Sequence, residues 1–240
     1  MKIYLETIQE IKVLVAQNEI KDRQDTEQFL NRCSKLDPVA EGVYATVYNL
    51  PEEPDKVVKV CLDEKDGYYI FARWCMTPEN QCDPHLPIIY REDVITFPCG
   101  MVVRFYVVER LSDFVDGGLR ATQPQHFHDY GFGLLWSSFK AVLQSCEMDN
   151  SEFPEEIKTL AVFVEKIKVS SSHLAKRMDN DILDRVDDGI IESYEDFLGT
   201  LFNVLTQLSP VGSIDLHGGN FMLRGDTVVI TDPIAHKYAA

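Results

Sequence analysis

Around position 220 the chain reads Ser213-Ile214-Asp215-Leu216-His217-Gly218-Gly219-Asn220, and Ile230-Thr231-Asp232-Pro233 follows ten residues later. Between the two stretches, Phe221-Met222-Leu223 and Val228-Val229-Ile230 flank the turn signal Arg224-Gly225-Asp226-Thr227. This pattern predicts a β-hairpin that brings Asp232 back beside Asn220. Gly218 and Gly219 permit a tight turn before Asn220 because they have no Cβ atom.

The spacing of these polar residues is typical of a phosphoryl-transfer centre, in which positioning and charge neutralisation do most of the work. Asp215 is expected to accept or orient the proton of an attacking hydroxyl. Asn220 and Asp232 are expected to bind Mg²⁺, and Mn²⁺ is equally compatible with their oxygen atoms. Asp, Gly and Asn are also ordinary turn residues, so the pattern alone is weak.

A second pattern upstream strengthens the first. The stretch Ala40-Glu41-Gly42-Val43-Tyr44-Ala45-Thr46-Val47 fits the phosphate loop G-x-G-x-x-G-x-V, with Ala40 and Ala45 at the outer glycine positions. Val57-Val58-Lys59-Val60 then fits a strand that carries a phosphate-binding lysine. The alternative for Lys59 is a lysine at a sheet edge with its ammonium group in water.

With these motifs the chain resembles the early serine/threonine protein kinases of autographivirus-type coliphages, which act in shutting down host transcription. The resemblance covers Gly42 through Lys59, the helix Gly67 to Met76, and the two stretches around Asn220 and Asp232. It implies that Gly42 belongs to the nucleotide loop and Lys59 to the α- and β-phosphates. It likewise implies Asp215 as catalytic base and Asn220 and Asp232 as metal ligands, with ATP as the second substrate.

The sequence also departs from the protein-kinase pattern. Ile214 replaces the arginine of H-R-D, and Pro233 follows Asp232 where Phe-Gly is expected, so no activation segment is expected after the metal aspartate. The helix after Lys59 carries no acid, which leaves Glu64 or Asp66 as the candidate partners of the lysine.

The predicted fold is α+β and two-lobed, of the protein-kinase type and truncated after the metal aspartate. Residues 1–35 are expected to form a helical brace, 36–110 a small lobe with a five-stranded antiparallel sheet and one helix, and 111–240 a mainly helical large lobe. The predicted strands are Val43–Leu50, Val57–Leu62, Ile88–Glu92 and Met101–Val108, and the predicted helices are Tyr68–Met76, Phe132–Cys146, Ile157–Ile167 and Phe197–Leu208. Backbone groups of Glu109 to Leu111 are expected to meet the adenine; the alternative is an exposed hairpin end.

The composition indicates which kinds of partner the protein can bind. The 240 residues carry 39 acids and 23 bases, a net charge of −16, which argues against direct binding of nucleic acid. Basic host proteins, such as nucleic-acid or transcription enzymes, are the expected partners, with the acidic stretch Asp179–Asp188 recruiting them. No segment reads as a membrane span or signal peptide, so the cytoplasm of an infected bacterium is the expected location. The oligomeric state stays open.

Three other features carry alternatives. The six cysteines lack C-x-x-C spacing and are expected to be reduced thiols, and His126-Phe127-His128-Asp129 is expected to be a solvated loop. Ser213 is a candidate autophosphorylation site that would place a dianion near the metal; a turn serine is the alternative.

Two other functions compete with a protein kinase. The D-L-H-x-x-N form also occurs in aminoglycoside and choline kinases, which phosphorylate small molecules. A non-catalytic acidic inhibitor of a host enzyme is the third possibility, although such a protein would not need Lys59, Asp215, Asn220 and Asp232 together.

Overall fold

The computed structural model describes residues 2–17, 26, 30, 36–41, 45–62, 67–112, 130–145, 157–175 and 194–236. The chain divides into two compact units. The first unit combines Met1–Cys82 with Pro87–Arg110, and the second combines Asp83–Leu86 with Leu111–Lys237. The short segment Asp83–Leu86 thus belongs to the second unit although the chain on both sides of it belongs to the first.

The first unit is built on a five-stranded antiparallel sheet with the strand order β1-β2-β3-β5-β4. Its strands are β1 (Pro38–Glu41), β2 (Ala45–Asn49), β3 (Lys56–Cys61), β4 (Ile89–Thr96) and β5 (Val102–Glu109). In β3 and β5, valine, phenylalanine and tyrosine alternate between the two faces, which is the pattern of strands covered on both sides.

Helix α1 (Lys2–Gln17) covers one face of this sheet. Its apolar residues recur at three- and four-residue intervals, and Tyr4, Ile8, Ile11 and Val15 are all buried. They pack with sheet residues such as Val58, Val60 and Phe105 in one apolar cluster. Each fully buried side chain of this kind contributes about 1.5–3 kcal/mol, so the helix is an integral part of the unit.

Helix α2 (Tyr68–Cys75) lies on the opposite face. Its Tyr68 ring meets the Tyr106 ring of β5 edge to face, with 5.2 Å between the centroids. Arg104 of β5 lies over the Tyr69 ring at 5.2 Å. Because side chains alternate along a strand, Lys59, Arg104 and Tyr106 face α2 while Val58, Val60 and Phe105 face α1.

The second unit contains three helices among its described residues, namely α3 (Tyr130–Ser145), α4 (Leu160–Ala175) and α5 (Glu195–Leu208). Buried aromatic rings join them: Phe163 of α4 packs edge to face on Phe139 of α3 and contacts Phe202 of α5. Two short antiparallel pairs complete the unit, β6 (Gly212–Ile214) with β9 (Ile234–His236) and β7 (Phe221–Arg224) with β8 (Thr227–Ile230).

The structure confirms the α+β class, the five-stranded antiparallel sheet with its helix and the hairpin β7–β8. The predicted bounds were wrong by more than two residues at both ends of α4, which ends at Ala175 and not at Ile167, and at the end of β4. Helix α4 begins at Leu160 and not at Ile157, because the Thr159 hydroxyl accepts from the Val162 N–H (3.3 Å) and caps the helix there. Strand β4 continues to Thr96 because it pairs with β5 as far as Thr96 opposite Val102, and hydrogen bonds from Arg104 and Arg91 satisfy its Glu92 and Asp93.

Several predictions fall on residues outside the described ranges. These are most of residues 18–35 of the predicted helical brace, the candidate lysine partners Glu64 and Asp66, the His126–Asp129 loop and the acidic stretch Asp179–Asp188. Among the described helices, none is both long and apolar enough to cross a bilayer.

A buried polar contact anchors α1 to the sheet. The Tyr4 hydroxyl donates to Asp93 Oδ2 (2.8 Å), and Arg91 Nη2 donates to Asp93 Oδ1 (3.0 Å). Burial alone would raise the pKa of Asp93, but the hydrogen bonds from Arg91 and Tyr4 outweigh it and hold the pKa below its usual range. The stabilisation therefore exists with Asp93 ionised and is lost as the pH falls through the folded-state pKa.

We expect Tyr4→Phe to lower the free energy of unfolding by about 1–3 kcal/mol at pH 7, because it leaves a buried carboxylate short of one donor. Urea unfolding measures the loss, and Tyr90→Phe at an exposed position of the same sheet is the control. The difference should narrow as the pH falls from the usual pKa of an aspartate in the unfolded chain towards the lower folded-state pKa of Asp93. A loss that is constant with pH, or equal in both variants, would contradict this role for Tyr4.

Candidate active site

Asp215, Asn220 and Asp232 lie in one loop cluster of the second unit. Strands β6 and β9 pair with Ile214 opposite Ile234, and the Asp215 N–H extends the pairing by donating to the Pro233 carbonyl (2.9 Å). Asp215 therefore follows β6 directly, and Asp232 lies two residues before β9. The pairing brings together two aspartates that are 17 positions apart in the sequence.

The hairpin β7–β8 places Asn220 beside the second aspartate. Phe221 pairs with Ile230, and the Thr231 N–H donates to the Asn220 carbonyl (2.8 Å). Gly225 occupies the turn with φ +59°, a left-handed conformation that favours glycine. The hairpin predicted from the sequence thus returns the chain to Asn220 as expected.

Asn220 is the best-fixed side chain of the cluster. It is buried at 6% exposure, its N–H donates to the His217 carbonyl (2.9 Å), and its side-chain Nδ2 donates to the Asp215 carbonyl oxygen. A carbonyl oxygen can only accept, so the atom that faces it has to be the amide nitrogen. Asn220 Oδ1 is consequently the amide atom available to a cation.

The donor set fits Mg²⁺. This ion uses one or two carboxylates from the protein and completes its octahedron with phosphate oxygens and water. Asn220 Oδ1 and the half-buried Asp232 carboxylate supply hard oxygen atoms of this type. Among the described residues there is no group of three or more His, Cys, Asp or Glu side chains that could hold a metal without such a substrate.

His217 is a residue whose local role the sequence did not predict. Its Nδ1 accepts from the Gly219 N–H (3.1 Å), which makes Nε2 the protonated nitrogen of the neutral ring. A Cβ atom at Gly219 would lie 3.1 Å from His217 Cε1, so a larger residue there would crowd the imidazole. The ring and the turn hold each other in place between Asp215 and Asn220.

Aromatic packing and a distant segment hold the hairpin. Phe221, next to Asn220, packs between Trp136 of α3 (4.9 Å between centroids) and Phe197 of α5 (6.1 Å). The Arg224 guanidinium donates to the carbonyls of Pro84 (2.7 Å) and Leu86 (2.8 Å), about 140 positions away in the chain. The sequence carries no local signal for this last contact.

Further contacts secure the same segment. The Ile230 N–H donates to the His85 carbonyl (2.9 Å), and the His85 ring packs edge to face on Phe197 (5.4 Å). The Thr200 hydroxyl of α5 donates to Asp83 Oδ2 (2.7 Å). The hairpin is therefore held within the second unit both by aromatic packing and by hydrogen bonds to this segment.

Lys59 lies in the first unit, in the middle of β3. It is half-buried and stands in register with Val47 of β2 and Tyr106 of β5. Its Nζ atom lies 3.4 Å from the centroid of the Tyr68 ring. Lys59 is thus an interior lysine of a five-stranded sheet, and the alternative of a sheet-edge lysine is wrong because β3 lies at the centre of the strand order.

The structure describes most of the other residues that are predicted to bind the nucleotide, but not all of them. Ala40 is exposed on β1 and pairs with Val47, Ala45 begins β2, and Gly42 lies outside the described residues. The Glu109 N–H donates to the Ile88 carbonyl (3.0 Å) and its carboxylate accepts from the Ile88 N–H (2.7 Å). These bonds occupy Glu109 within the sheet. Leu111 is half-buried in the second unit, and adenine binding by either residue stays a prediction.

Ser213 lies inside strand β6, opposite Ala235, and is half-buried. The alternative of a turn serine is therefore replaced by a strand serine two positions before Asp215. Its phosphorylation stays a prediction.

Comparisons with known proteins leave the family open. No protein-family model matches the chain, and no curated protein matches it in sequence. Among solved structures it is similar to the MAP kinase LmaMPK10 from Leishmania major, at 12% identity and a TM-score of 0.30, over 90% of this chain and 51% of that one. The chain thus spans about half the length of that kinase.

Gly212 is a residue of the site whose importance only the structure reveals. A Cβ atom there would lie 2.9 Å from the Ala235 carbonyl oxygen, within the β6–β9 pairing that positions Asp215. At Gly199 of α5, in contrast, a Cβ atom would have only an ordinary contact, 3.9 Å from Leu160 Cδ2.

We expect Gly212→Ala to destabilise the protein by about 1–3 kcal/mol, because backbone atoms have to move apart. The matched substitution Gly199→Ala should stabilise it by up to about 1 kcal/mol, because alanine favours a helix. Urea unfolding of both variants measures the change in the free energy of unfolding, which should be opposite in sign for the two. A Gly212→Ala variant as stable as the unchanged protein would show that the β6–β9 pairing is not tight in solution.

Proposed function

We propose that this chain is an ATP- and Mg²⁺-dependent kinase that phosphorylates serine or threonine side chains of proteins. The observation that supports this most strongly is the pair of contacts at Asn220. Its side chain donates to the Asp215 carbonyl and its own carbonyl accepts from Thr231. A candidate base and two candidate metal ligands are thereby held in one loop cluster, as phosphoryl transfer requires.

Each residue has one assigned task. Asp215, whose carboxylate is exposed, accepts the proton of the attacking hydroxyl. The hydroxyl oxygen forms a bond to the γ-phosphorus while the bond between the γ-phosphorus and the β–γ bridging oxygen breaks. ADP is the leaving group. Asn220 and Asp232 would hold Mg²⁺, which would neutralise charge on the phosphates. Lys59 is assigned to the α- and β-phosphates.

The biological setting that we propose follows the sequence resemblance. A phage early kinase would act in the cytoplasm of the infected bacterium on host proteins and contribute to transcription shutoff. The net charge of −16 favours basic partners, since opposite charge accelerates their encounter.

One alternative function has a specific observation in its favour. The form Asp215-Leu216-His217-Gly218-Gly219-Asn220 also resembles the loop of aminoglycoside and choline kinases. In that case the acceptor would be a small hydroxyl compound and not a protein. A non-catalytic acidic inhibitor is the remaining alternative.

Incubation with γ-labelled ATP, Mg²⁺ and bacterial lysate separates the three functions. We expect labelled protein bands whose hydrolysis yields phosphoserine or phosphothreonine. Asp215→Ala should reduce the transfer rate by about 10²–10⁴-fold while ATP still binds, because only the base is lost. Asp232→Asn should weaken the Mg²⁺-dependent part of ATP binding.

Asp226→Ala is the matched control, because Asp226 lies exposed in the turn of the same hairpin and should leave transfer unchanged. Label in small metabolites alone would favour the small-molecule kinase. The inhibitor would be favoured if no acceptor became labelled and the Asp215→Ala variant bound host protein as well as the unchanged protein does.

The recruitment of basic partners is tested separately. We expect the double reversal Asp179→Lys and Asp181→Lys to slow phosphorylation of a basic protein substrate at low salt, with the deficit shrinking as salt screens the charges. Glu6→Lys and Glu79→Lys change the net charge by the same amount at exposed positions and should have a smaller effect. An equal rate for both double variants at low salt would contradict a role for this acidic stretch.

A further inference from the structure

Lys59 lies against an aromatic ring. Its Nζ atom is 3.4 Å from the centroid of Tyr68, the first residue of α2. Three other cation–ring pairs among the described residues are wider, at 4.6 Å for Lys56 with Tyr90, 5.2 Å for Arg104 with Tyr69 and 5.7 Å for Lys140 with Trp136. A cation over a ring face is attracted by the negative potential of the π system, most strongly at a buried ring.

The Tyr68 ring is fixed by its neighbours. It is 2% exposed and meets Phe71 (6.1 Å, 63°) and Tyr106 (5.2 Å, 77°) edge to face. Such contacts are the preferred geometry of aromatic pairs, in which the positive edge of one ring faces the negative face of another. The ring therefore has little freedom to turn away from the lysine.

Tyr106 is fixed in turn by a charged pair. Its hydroxyl donates to Glu92 Oε1 (3.1 Å), which also accepts from Arg104 Nη1 (2.8 Å). Burial, and then the nearby Glu92 carboxylate, raise the pKa of Tyr106 well above its usual range, so the phenol stays protonated and keeps donating. Lys59, Tyr106 and Glu92 stand directly opposite one another on three neighbouring strands.

We propose that Tyr68 is a positioning residue for Lys59, holding its ammonium group over the ring where it can meet the phosphates of a nucleotide. Helix α2 carries no acid, and the Tyr68 ring attracts the ammonium without itself bringing a negative charge that would repel the phosphates. This inference rests on the proposed kinase function.

Nucleotide binding tests the inference without a known acceptor. Calorimetric titration of the full chain with ATP·Mg²⁺ and with adenosine gives two dissociation constants, and only the first depends on Lys59. We expect Tyr68→Leu to raise the Kd for ATP about tenfold and leave that for adenosine unchanged. Tyr68→Phe keeps the ring and should restore the Kd for ATP to within about twofold.

Phe97→Leu is the matched control. Phe97 is a buried aromatic residue of the same unit and belongs to the apolar cluster under α1, on the other face of the sheet from Lys59. The control should lose stability and leave the Kd for ATP unchanged. If Tyr68→Leu weakens the binding of adenosine as much as that of ATP, or if Phe97→Leu weakens ATP binding equally, Tyr68 is only a core residue and the inference is overturned.

A second measurement separates failure of this inference from failure of the proposed function. Acylation of lysines by a succinimidyl ester, followed by peptide mass spectrometry, reports how accessible Lys59 is without any nucleotide. We expect labelling of Lys59, relative to the exposed Lys2, to rise several-fold in Tyr68→Leu and not in Phe97→Leu.

If the unchanged protein binds no ATP although Lys59 labelling responds to Tyr68→Leu, the ring contact stands and the kinase function fails. If ATP binds but neither its Kd nor the labelling responds to Tyr68→Leu, the positioning role alone fails.

Discussion

The hydrogen bond from the Asn220 amide to the Asp215 carbonyl is the contact on which the candidate site depends. It joins the two ends of a turn that also contains the His217–Gly219 contact, and it fixes which atom of the amide is left for a cation. Because a buried amide that loses its acceptor is costly, the contact also stabilises the loop in this one conformation. The site is therefore preorganised by its own backbone.

Two non-local contacts give that turn its place in the second unit. The β6–β9 pairing fixes the start of the Asp215 loop, and a Cβ atom at residue 212 would crowd the Ala235 carbonyl within it. Phe221 fixes its end within the aromatic core between α3 and α5. The polar residues of the site thus stand directly beside buried apolar anchors, which limit their motion.

In the first unit the two faces of the sheet differ in character. The face that carries Val58, Val60 and Phe105 is apolar and is covered by α1, so it supplies stability. The opposite face carries charged groups that contact other side chains. Lys59 lies over the Tyr68 ring, and Glu92 accepts from Arg104 and from the Tyr106 hydroxyl. Alternation of side chains along β3 and β5 is the physical basis of this division.

The sequence by itself determined the features that depend on neighbouring residues. The hairpin β7–β8 follows from two apolar runs around Gly225, and the proximity of Asn220 to Asp232 follows from the hairpin. Only the tertiary structure decided which distant groups meet: Arg224 with the carbonyls of Pro84 and Leu86, Gly212 with Ala235, and Lys59 with the Tyr68 ring. Backbone carbonyls and aromatic faces are present along the whole chain, so no local pattern distinguishes the ones that will be used. The contacts are selected by the internal packing of each unit.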